Sequence, residues 1–361
     1  MTITEDRPAY EPYVPAPKSA ATLRIRARLA AEDAARGTSA LAVRETTAVI
    51  QARPLIDGDQ TLRYIYTFLK HFAHWGSEAE LIAATLWVAQ THARDDKGYP
   101  VAQYCARLAI LGASGSGKSW KSRLVGKLSY SGEILVEPTA PSFIDLCAEN
   151  HTVIMTEADE AFRSPGRSRK ILAVANASYE PDRSSSRKQG GVAVKIRLFC
   201  HLVLDGIDEV LLSPNRPDLQ AMMSRCIIVL SRQAPAGYRP PRFDAQARAT
   251  AELISQRATA WMAQEVAAGM EHDVPSVPEH LGNRPFALWE PLFVVARRAD
   301  LALREKAERD GAEDPGWPWS QACRDACEQL EQAVGVPDQT EDQASELDRQ
   351  MVGYGLGEGD L

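Results

Sequence analysis

One eight-residue stretch constrains the fold of this chain more than any other. The sequence G-A-S-G-S-G-K-S runs from Gly112 to Ser119, between the apolar run "ARLAIL" and the helix-forming run "WKSRLVGKL". Glycines allow the backbone N–H groups of such a turn to point at phosphate oxygens, and a helix N-terminus adds its positive end. A strand, a glycine-rich turn and a helix in this order are typical of a phosphate-binding loop, or P-loop.

The motif also predicts which groups the loop binds. In a P-loop the lysine, here Lys118, reaches the β- and γ-phosphates, and the hydroxyl of Ser119 ligates Mg²⁺. The chain has no guanine-selecting N-K-x-D sequence, so we expect the cofactors ATP and Mg²⁺. A chance glycine-rich turn is the alternative. The predicted nucleotide-binding residues are Gly112, Ser114, Gly115, Ser116, Gly117, Lys118, Ser119 and Trp120.

The sequence around this loop alternates between apolar strands and helices. Short apolar runs such as "GEILVEP", "TVIM" and "RCIIVLS" are separated by helical stretches, which is typical of a parallel sheet with helices on its faces. We therefore predict an α/β fold. The predicted regions are a disordered arm (1–20), a helical N-terminal region (21–103), a P-loop ATPase core (104–237), a helical C-terminal domain (238–335) and an acidic disordered tail (336–361).

Bulk composition narrows the class of protein. The 361 residues carry a net charge of −7, so contact with nucleic acid requires a local basic patch. The N-terminal sequence MTITEDRPAY does not have the pattern of a secretory signal. No apolar run approaches the roughly 20 residues of a membrane span. The six cysteines form no C-x-x-C pair. We expect a cytoplasmic protein with reduced thiols and no membrane association.

Several further stretches strengthen the P-loop assignment. They are "SEAELIAATLWVAQTHA", "VIMTEADEAF", "ILAVANASY", "LVLDGIDEVL", "MSRCIIVLSR" and "ALWEPLFVVARRAD". In this order they resemble the domain-of-unknown-function ATPases found in replication and primase-helicase proteins of bacterial mobile elements and phages. The resemblance covers about residues 60–335, although Ala177-Ser178 replaces a glycine-histidine pair of the family pattern. It implies an additional-strand, AAA+/helicase-like P-loop NTPase core and a homo-oligomer, either a ring or a filament.

The acidic segment after "TVIM" departs from the family pattern. The resemblance aligns Thr156 with the strand-end aspartate that tunes Mg²⁺, Glu157 with the catalytic glutamate, and Asp159 with a second acid. We therefore expect Glu157 and Asp159 to be catalytic and, with Ser119, to hold Mg²⁺. In a second register, Asp159 and Glu160 form the working pair. A third interpretation is that these acids only begin a solvated loop.

Two basic features and one acid bear on mechanism. Arg225 precedes the last strand, where ring ATPases place an arginine finger; the alternative is a surface arginine or one paired within its own subunit. Asp205, at the end of a neighbouring strand, is a weaker candidate for sensing the γ-phosphate. The segment "PDRSSSRKQGGVAVKIR" predicts a hairpin that contacts DNA or, alternatively, a solvated loop. Its candidate DNA-binding residues are Arg183, Arg187, Lys188 and Lys195.

These features favour one function over two alternatives. The favoured function is an ATP-hydrolysing, DNA-associated motor of a phage or mobile element, which acts as helicase, translocase or helicase loader and has replication or mobile-element proteins as partners. The first alternative is a slow or non-hydrolysing assembly switch, because Thr156 stands where the aspartate is expected. The second is a P-loop kinase, which is disfavoured because the C-terminal third has no arginine-rich lid.

Overall fold

A computed structural model describes residues 56–334, except 137, 164, 190–191, 274, 276 and 279–280. The predicted arm and acidic tail, and the first part of the predicted helical N-terminal region, lie outside the described residues. The helices in chain order are α1 (Gly58–Phe72), α2 (Glu78–Thr91), α3 (Lys118–Leu128), α4 (Ala140–Ala148), α5 (Ala158–Ala161), α6 (Pro165–Ala177), α7 (Asp208–Leu211), α8 (Pro217–Met223), α9 (Ala245–Ala267), α10 (Asn283–Arg309) and α11 (Pro318–Val334). None of these described helices is long and apolar enough to cross a membrane.

The strands form a parallel sheet and a separate hairpin. In chain order they are β1 (Arg107–Leu111), β2 (Gly132–Leu135), β3 (Thr152–Met155), β4 (Ser184–Gln189), β5 (Val192–Arg197), β6 (Leu202–Gly206) and β7 (Cys226–Leu230). Five of them form a sheet in the order β2-β3-β6-β1-β7, and every pair is parallel. All five carboxyl ends therefore meet at one edge. Strand β6 separates β1, which leads into the glycine-rich loop, from β3, which leads into the acidic segment.

Alternation along the strands produces two hydrophobic layers. On β1, Leu108 and Ile110 belong to a core that includes residues of α3, whereas Ala109 and Leu111 belong to a second core with residues of α4 and α6. Successive side chains of a strand point to opposite faces, so a sheet that is apolar on both faces must be covered on both. The fold is mixed α/β, with helices on each side of the parallel sheet.

The two predicted helical regions share one hydrophobic core. Helices α1, α2, α9, α10 and α11 contribute to the same hydrophobic core as one face of the sheet. Helix α2 is buried from Ala79 to Thr91, as expected for a helix that is apolar on every side. Its Trp87 Nε1 donates to the carbonyl of Ala106, next to β1, at 2.8 Å. The described part of the N-terminal region thus forms one layer with the C-terminal helices.

The C-terminal stretch of helical composition is divided by a turn. The chain forms α10 and α11 there, with residues 310–317 between them. Gly311 and Gly316 in that turn have φ values of 62° and 72°, and Pro318 begins the next helix. Glycine adopts positive φ without the steric cost of other residues, and proline is tolerated in the first helical turn. These residues explain the break.

A buried acid holds the start of α11. Asp300 of α10 is 0% exposed and accepts hydrogen bonds from the backbone N–H groups of Trp319 and Ser320, each at 2.8 Å. Burial nevertheless raises the pKa of Asp300 to about 7, and the nearby Asp59 contributes in the same direction. The folded state therefore binds this proton more tightly than the unfolded chain, whose pKa is near the ordinary 3.8.

We predict that this acid makes the fold less stable as pH rises. The contribution of Asp300 is fully present below about pH 4 and is lost as pH rises through about 7, at roughly 1 kcal/mol per pH unit between these values. Asp300→Asn should flatten the pH dependence of the free energy of unfolding between pH 5 and pH 7. Denaturant titrations measure it, with the exposed Asp310→Asn as matched control. An unchanged slope in Asp300→Asn would contradict the assignment.

Candidate functional site

The glycine-rich loop from Gly112 to Ser119, predicted to be a P-loop, closely approaches the end of β7. An ideal Cβ on Gly112 would lie 2.3 Å from the carbonyl oxygen of Ser231, so only glycine fits there without backbone movement. Ser231 N–H donates to the Leu111 carbonyl at 2.6 Å, and Ser231 Oγ donates to the Ser116 carbonyl at 2.8 Å. The residue that follows β7 therefore fixes the loop on one side.

The backbone of the loop leaves donors without partners. Gly115 and Gly117 have φ values of 80° and 81°, in the left-handed region that glycine adopts without the steric cost of other residues. Within the described part of the chain, no hydrogen bond is formed by the N–H groups of Ser114, Gly115, Gly117, Lys118 and Ser119. The buried hydroxyl of Ser116 also lacks a partner there. Consecutive unpaired N–H groups at a helix N-terminus favour an anion such as a phosphate.

The lysines of helix α3 have different roles. Lys118 is partly exposed and its Nζ lies 3.4 Å from the Ala113 carbonyl, so the amine stays beside the loop. Lys121 is only 1% exposed; its Nζ donates to Ser231 Oγ at 2.8 Å and lies 5.3 Å from the centre of the Trp75 ring. Burial lowers the pKa of Lys121. The amine of Lys118 is thus partly exposed beside the loop, whereas the amine of Lys121 is buried and bonded to Ser231.

Trp120 anchors the helix rather than lining the loop. Its Nε1 donates to the Phe72 carbonyl at 2.7 Å, and its ring centre lies 5.3 Å from that of Phe243, with the rings nearly perpendicular. These contacts join α3 to the end of α1 and to the segment before α9. The side chain of Trp120 therefore positions the helix, and its contacts do not support the predicted role in nucleotide binding.

A buried carboxylate lies directly behind Ser119. Asp205, near the end of β6, is 0% exposed, and its Oδ1 accepts the hydroxyl of Ser119 at 2.8 Å. Its Oδ2 accepts the hydroxyl of Ser122, one turn further along α3. The backbone N–H of Glu157 also donates to Oδ1, at 3.3 Å. Asp205 therefore links the P-loop helix to the acidic segment that follows β3.

The acids after β3 separate into two environments. Glu157 is exposed and has a left-handed backbone, with φ 56° and ψ 43°, which costs a non-glycine residue roughly 1 kcal/mol or more. Asp159 is 5% exposed, and its Oδ1 accepts the backbone N–H of Ile207 at 3.1 Å. The backbone of Glu157 thus contacts Asp205, and the Asp159 carboxylate contacts the turn after β6. The register built on Glu157 and the one built on Asp159 and Glu160 both stay predictions.

Arg225 lies at the opposite edge of the sheet from the loop. It precedes β7, whereas Ser231, at the other end of that strand, contacts the P-loop. The residue is 1% exposed; Nη1 donates to the Ala221 carbonyl at 2.6 Å, and the guanidinium lies 5.8 Å from the centre of the Tyr179 ring. This placement does not support an arginine finger, because a buried guanidinium cannot reach a neighbouring subunit.

The predicted basic hairpin forms, with β4 and β5 paired antiparallel from Ser184↔Arg197 to Gln189↔Val192. Arg183 pairs with Glu180 at 2.8 Å, and Arg197 lies over the Tyr99 and Phe199 rings. Lys195 is exposed and forms no ion pair with any described residue. The side chains of Arg187 and Lys188 lie outside the described parts of the structure. Lys195 is thus the described cation of β4 and β5 that is most accessible.

Sequence reasoning underestimated Asp205 and missed Ser231 and Lys121. Asp205 was only a weak candidate because a strand-end aspartate next to phosphates repels them unless a cation intervenes. Ser231 had no sequence signal, since a serine after a strand is common. Comparison with known proteins adds no assignment: no family model matches the chain, and no curated protein matches it significantly. The resemblance to replication ATPases therefore stays a prediction from short motifs.

Proposed function

We propose that the chain is a P-loop ATPase that binds Mg²⁺–ATP in the loop from Gly112 to Ser119 and hydrolyses it. The observation that carries the proposal is the loop itself, with its unpaired N–H groups, Lys118 beside them and Ser119 next to a buried carboxylate. The sheet order supports it, because an added strand between the P-loop strand and the acid-bearing strand defines the additional-strand class.

The residues fit a magnesium nucleotide better than a metal alone. Among the described residues there is no cluster of three or more His, Cys, Asp or Glu side chains suited to a metal ion. Mg²⁺ is commonly held by one or two protein groups together with substrate phosphates and water, which matches Ser119 and its neighbouring carboxylate. When bound, the ion neutralises charge on the β- and γ-phosphates.

Groups of the chain itself bind the phosphates and activate the attacking water. The N–H groups of Gly115, Gly117 and Lys118 bind phosphate oxygens, and the amine of Lys118 stabilises charge that develops on the β–γ bridge. Glu157 orients the attacking water and accepts its proton while the water oxygen bonds to the γ-phosphorus. The bond from that phosphorus to the bridging oxygen breaks, which leaves ADP and phosphate.

The first test removes the charge that faces the phosphates. Lys118→Ala should weaken ATP binding at least about tenfold, because a charge-assisted contact contributes roughly 1.5–3 kcal/mol. Calorimetric titration with ATP measures it. Lys127→Ala, an exposed lysine in the last turn of the same helix, is the matched control and should bind as the wild type does. Equal affinity in the two variants would refute the nucleotide site.

The second test separates hydrolysis from binding. Glu157→Gln should retain ATP but hydrolyse it roughly 10²–10⁴ times more slowly, because the amide cannot accept the proton of water. Phosphate release under saturating ATP measures the rate, and Glu160→Gln is the exposed control three residues away. Loss of activity in Glu160→Gln but not in Glu157→Gln would favour the second register. A wild-type protein that binds ATP without turnover would instead favour the assembly switch.

We also propose that the ATPase acts on DNA. The exposed basic hairpin of β4 and β5 favours this proposal. Single-stranded DNA binds to basic surfaces through its phosphates, independently of sequence. Lys195 offers an exposed charge on a strand that also exposes Val194, which is 39% exposed. The overall charge of −7 makes such a local patch necessary.

We expect Lys195→Glu to weaken binding of single-stranded DNA and to reduce its dependence on salt. The slope of log affinity against log salt concentration should fall by about 0.7 for each phosphate that the protein no longer neutralises. Fluorescence anisotropy with a labelled oligonucleotide measures both quantities. Lys306→Glu, an exposed lysine at the end of α10, carries the same charge change. Similar losses in both variants would show an effect of net charge, not of the hairpin.

A further inference from the structure

The sheet register places Thr156 beside Asp205. Strands β3 and β6 pair in parallel with Val153 opposite Leu202 and Met155 opposite Leu204. Continuing this register by one residue brings Thr156 level with Asp205. Neighbouring strands lie about 4.8 Å apart, so the two positions differ by one strand spacing along the carboxyl edge.

The two positions also lie on the same face of the sheet. Ile154 and Val203, two residues before Thr156 and Asp205, both belong to the core that contains residues of helix α3. Because side chains alternate along a strand, Thr156 and Asp205 share that face. The contacts of Asp205 with Ser119 and Ser122 agree with this, since both serines are on α3. Of the two strands, β6 is the one next to the P-loop strand.

We propose that Asp205 replaces the missing strand-end carboxylate of β3 as the acid that prepares Ser119 for Mg²⁺. This inference rests on the proposed function. The hydroxyl of Ser119 donates its proton to Asp205 at 2.8 Å, which leaves its oxygen lone pairs for a cation. Asp205 is thus a positioning residue whose charge also favours a cation in front of the loop.

The other contacts of Asp205 support this role. A carboxylate that is 0% exposed needs hydrogen bonds, and Asp205 receives them from the Ser119 and Ser122 hydroxyls and from Glu157 N–H. All three donors are neutral, so its negative charge has no ion-pair partner among the described residues. A buried carboxylate without a counter-ion, next to a loop with unpaired N–H groups, favours a cation held together with an anion.

The test compares ADP binding with and without Mg²⁺. Calorimetry gives the ADP affinity of each variant in Mg²⁺ and in a chelator, and the ratio of the two measures the metal's contribution. Asp205→Asn should lower this ratio by about tenfold or more, because loss of a supporting acid typically reduces metal affinity 10- to 100-fold. ADP affinity in chelator should persist. Glu209→Gln, an exposed acid four residues on, is the matched control with an unchanged ratio.

A carboxylate placed after β3, at position 156, tests whether Asp205 takes the role of an acid at that position. Thr156→Asp combined with Asp205→Asn should raise the ratio above that of Asp205→Asn alone; a ratio equally low would overturn the proposed replacement. Thr156→Asp alone should give no gain, since the acid is already supplied. If Asp205→Asn does not fold, Thr156→Asp alone still tests the proposal. A tenfold gain in its ratio would overturn the proposal, because it would show that Asp205 does not already supply the acid.

The measurements distinguish failure of the proposed function from failure of the inference about Asp205. If wild-type protein binds ADP neither in Mg²⁺ nor in chelator, the proposed function is wrong. If wild-type protein shows Mg²⁺-dependent binding and Asp205→Asn shows the same ratio, Asp205 is only a buried structural acid and this inference is overturned. Melting temperatures of all variants separate a change in binding from a loss of fold, because a purely structural role lowers stability without changing the ratio.

Discussion

A single buried carboxylate joins the three segments on which the site depends. Asp205 is 0% exposed, and such a group is costly to bury unless each oxygen is hydrogen-bonded. Its partners come from the P-loop helix, through Ser119 and Ser122, and from the turn after β3, through Glu157. The left-handed backbone of Glu157 presents the N–H to this acid, so the position of the proposed water-activating residue depends on the same contact.

The loop is held in a second way, from the side of β7. Ser231 bonds to the carbonyls of the chain around the loop, and Lys121 bonds to Ser231 in turn. Lys121 lies over the Trp75 ring, in the segment between α1 and α2. The helical layer therefore does more than cover the sheet. Through Trp75 it also contacts Lys121, which bonds to Ser231 beside the loop.

Much of the fold followed from local sequence patterns. Alternating strands and helices predicted the parallel sheet. Ser77 and Glu80, three residues apart before an apolar run, have the spacing of a capping box. Ser77 accepts the N–H of Glu80 at 3.3 Å, whereas the Glu80 carboxylate accepts the N–H of Gly76, one residue before the usual partner. The stretch from Phe286 to Gln332 has helical composition, and it forms two helices. The turn between them contains Gly311, Pro315 and Gly316, and Pro318 begins α11, so the sequence carries a local signal for this break.

The candidate site was only partly predictable for a different reason. The P-loop residues are contiguous, so their spacing alone specifies the turn. The pairing of Asp205 with Ser119 depends instead on strand order, which places two distant segments side by side. The burial of Arg225 likewise depends on the segments that pack around the amino end of β7. Residues that meet through topology carry no spacing signal in a single sequence.

Strand β6 also connects the hairpin of β4 and β5 to the proposed nucleotide site. The hairpin of β4 and β5 joins the chain just before β6, and Asp205 is the fourth of that strand's five residues. Five residues of parallel strand span roughly 16 Å, and β6 pairs with β1 on one side and with β3 on the other. A displacement of the hairpin along this strand would therefore reach Asp205 and, through it, the hydroxyl of Ser119. The proposed DNA contact and the proposed nucleotide site would then be linked by one strand.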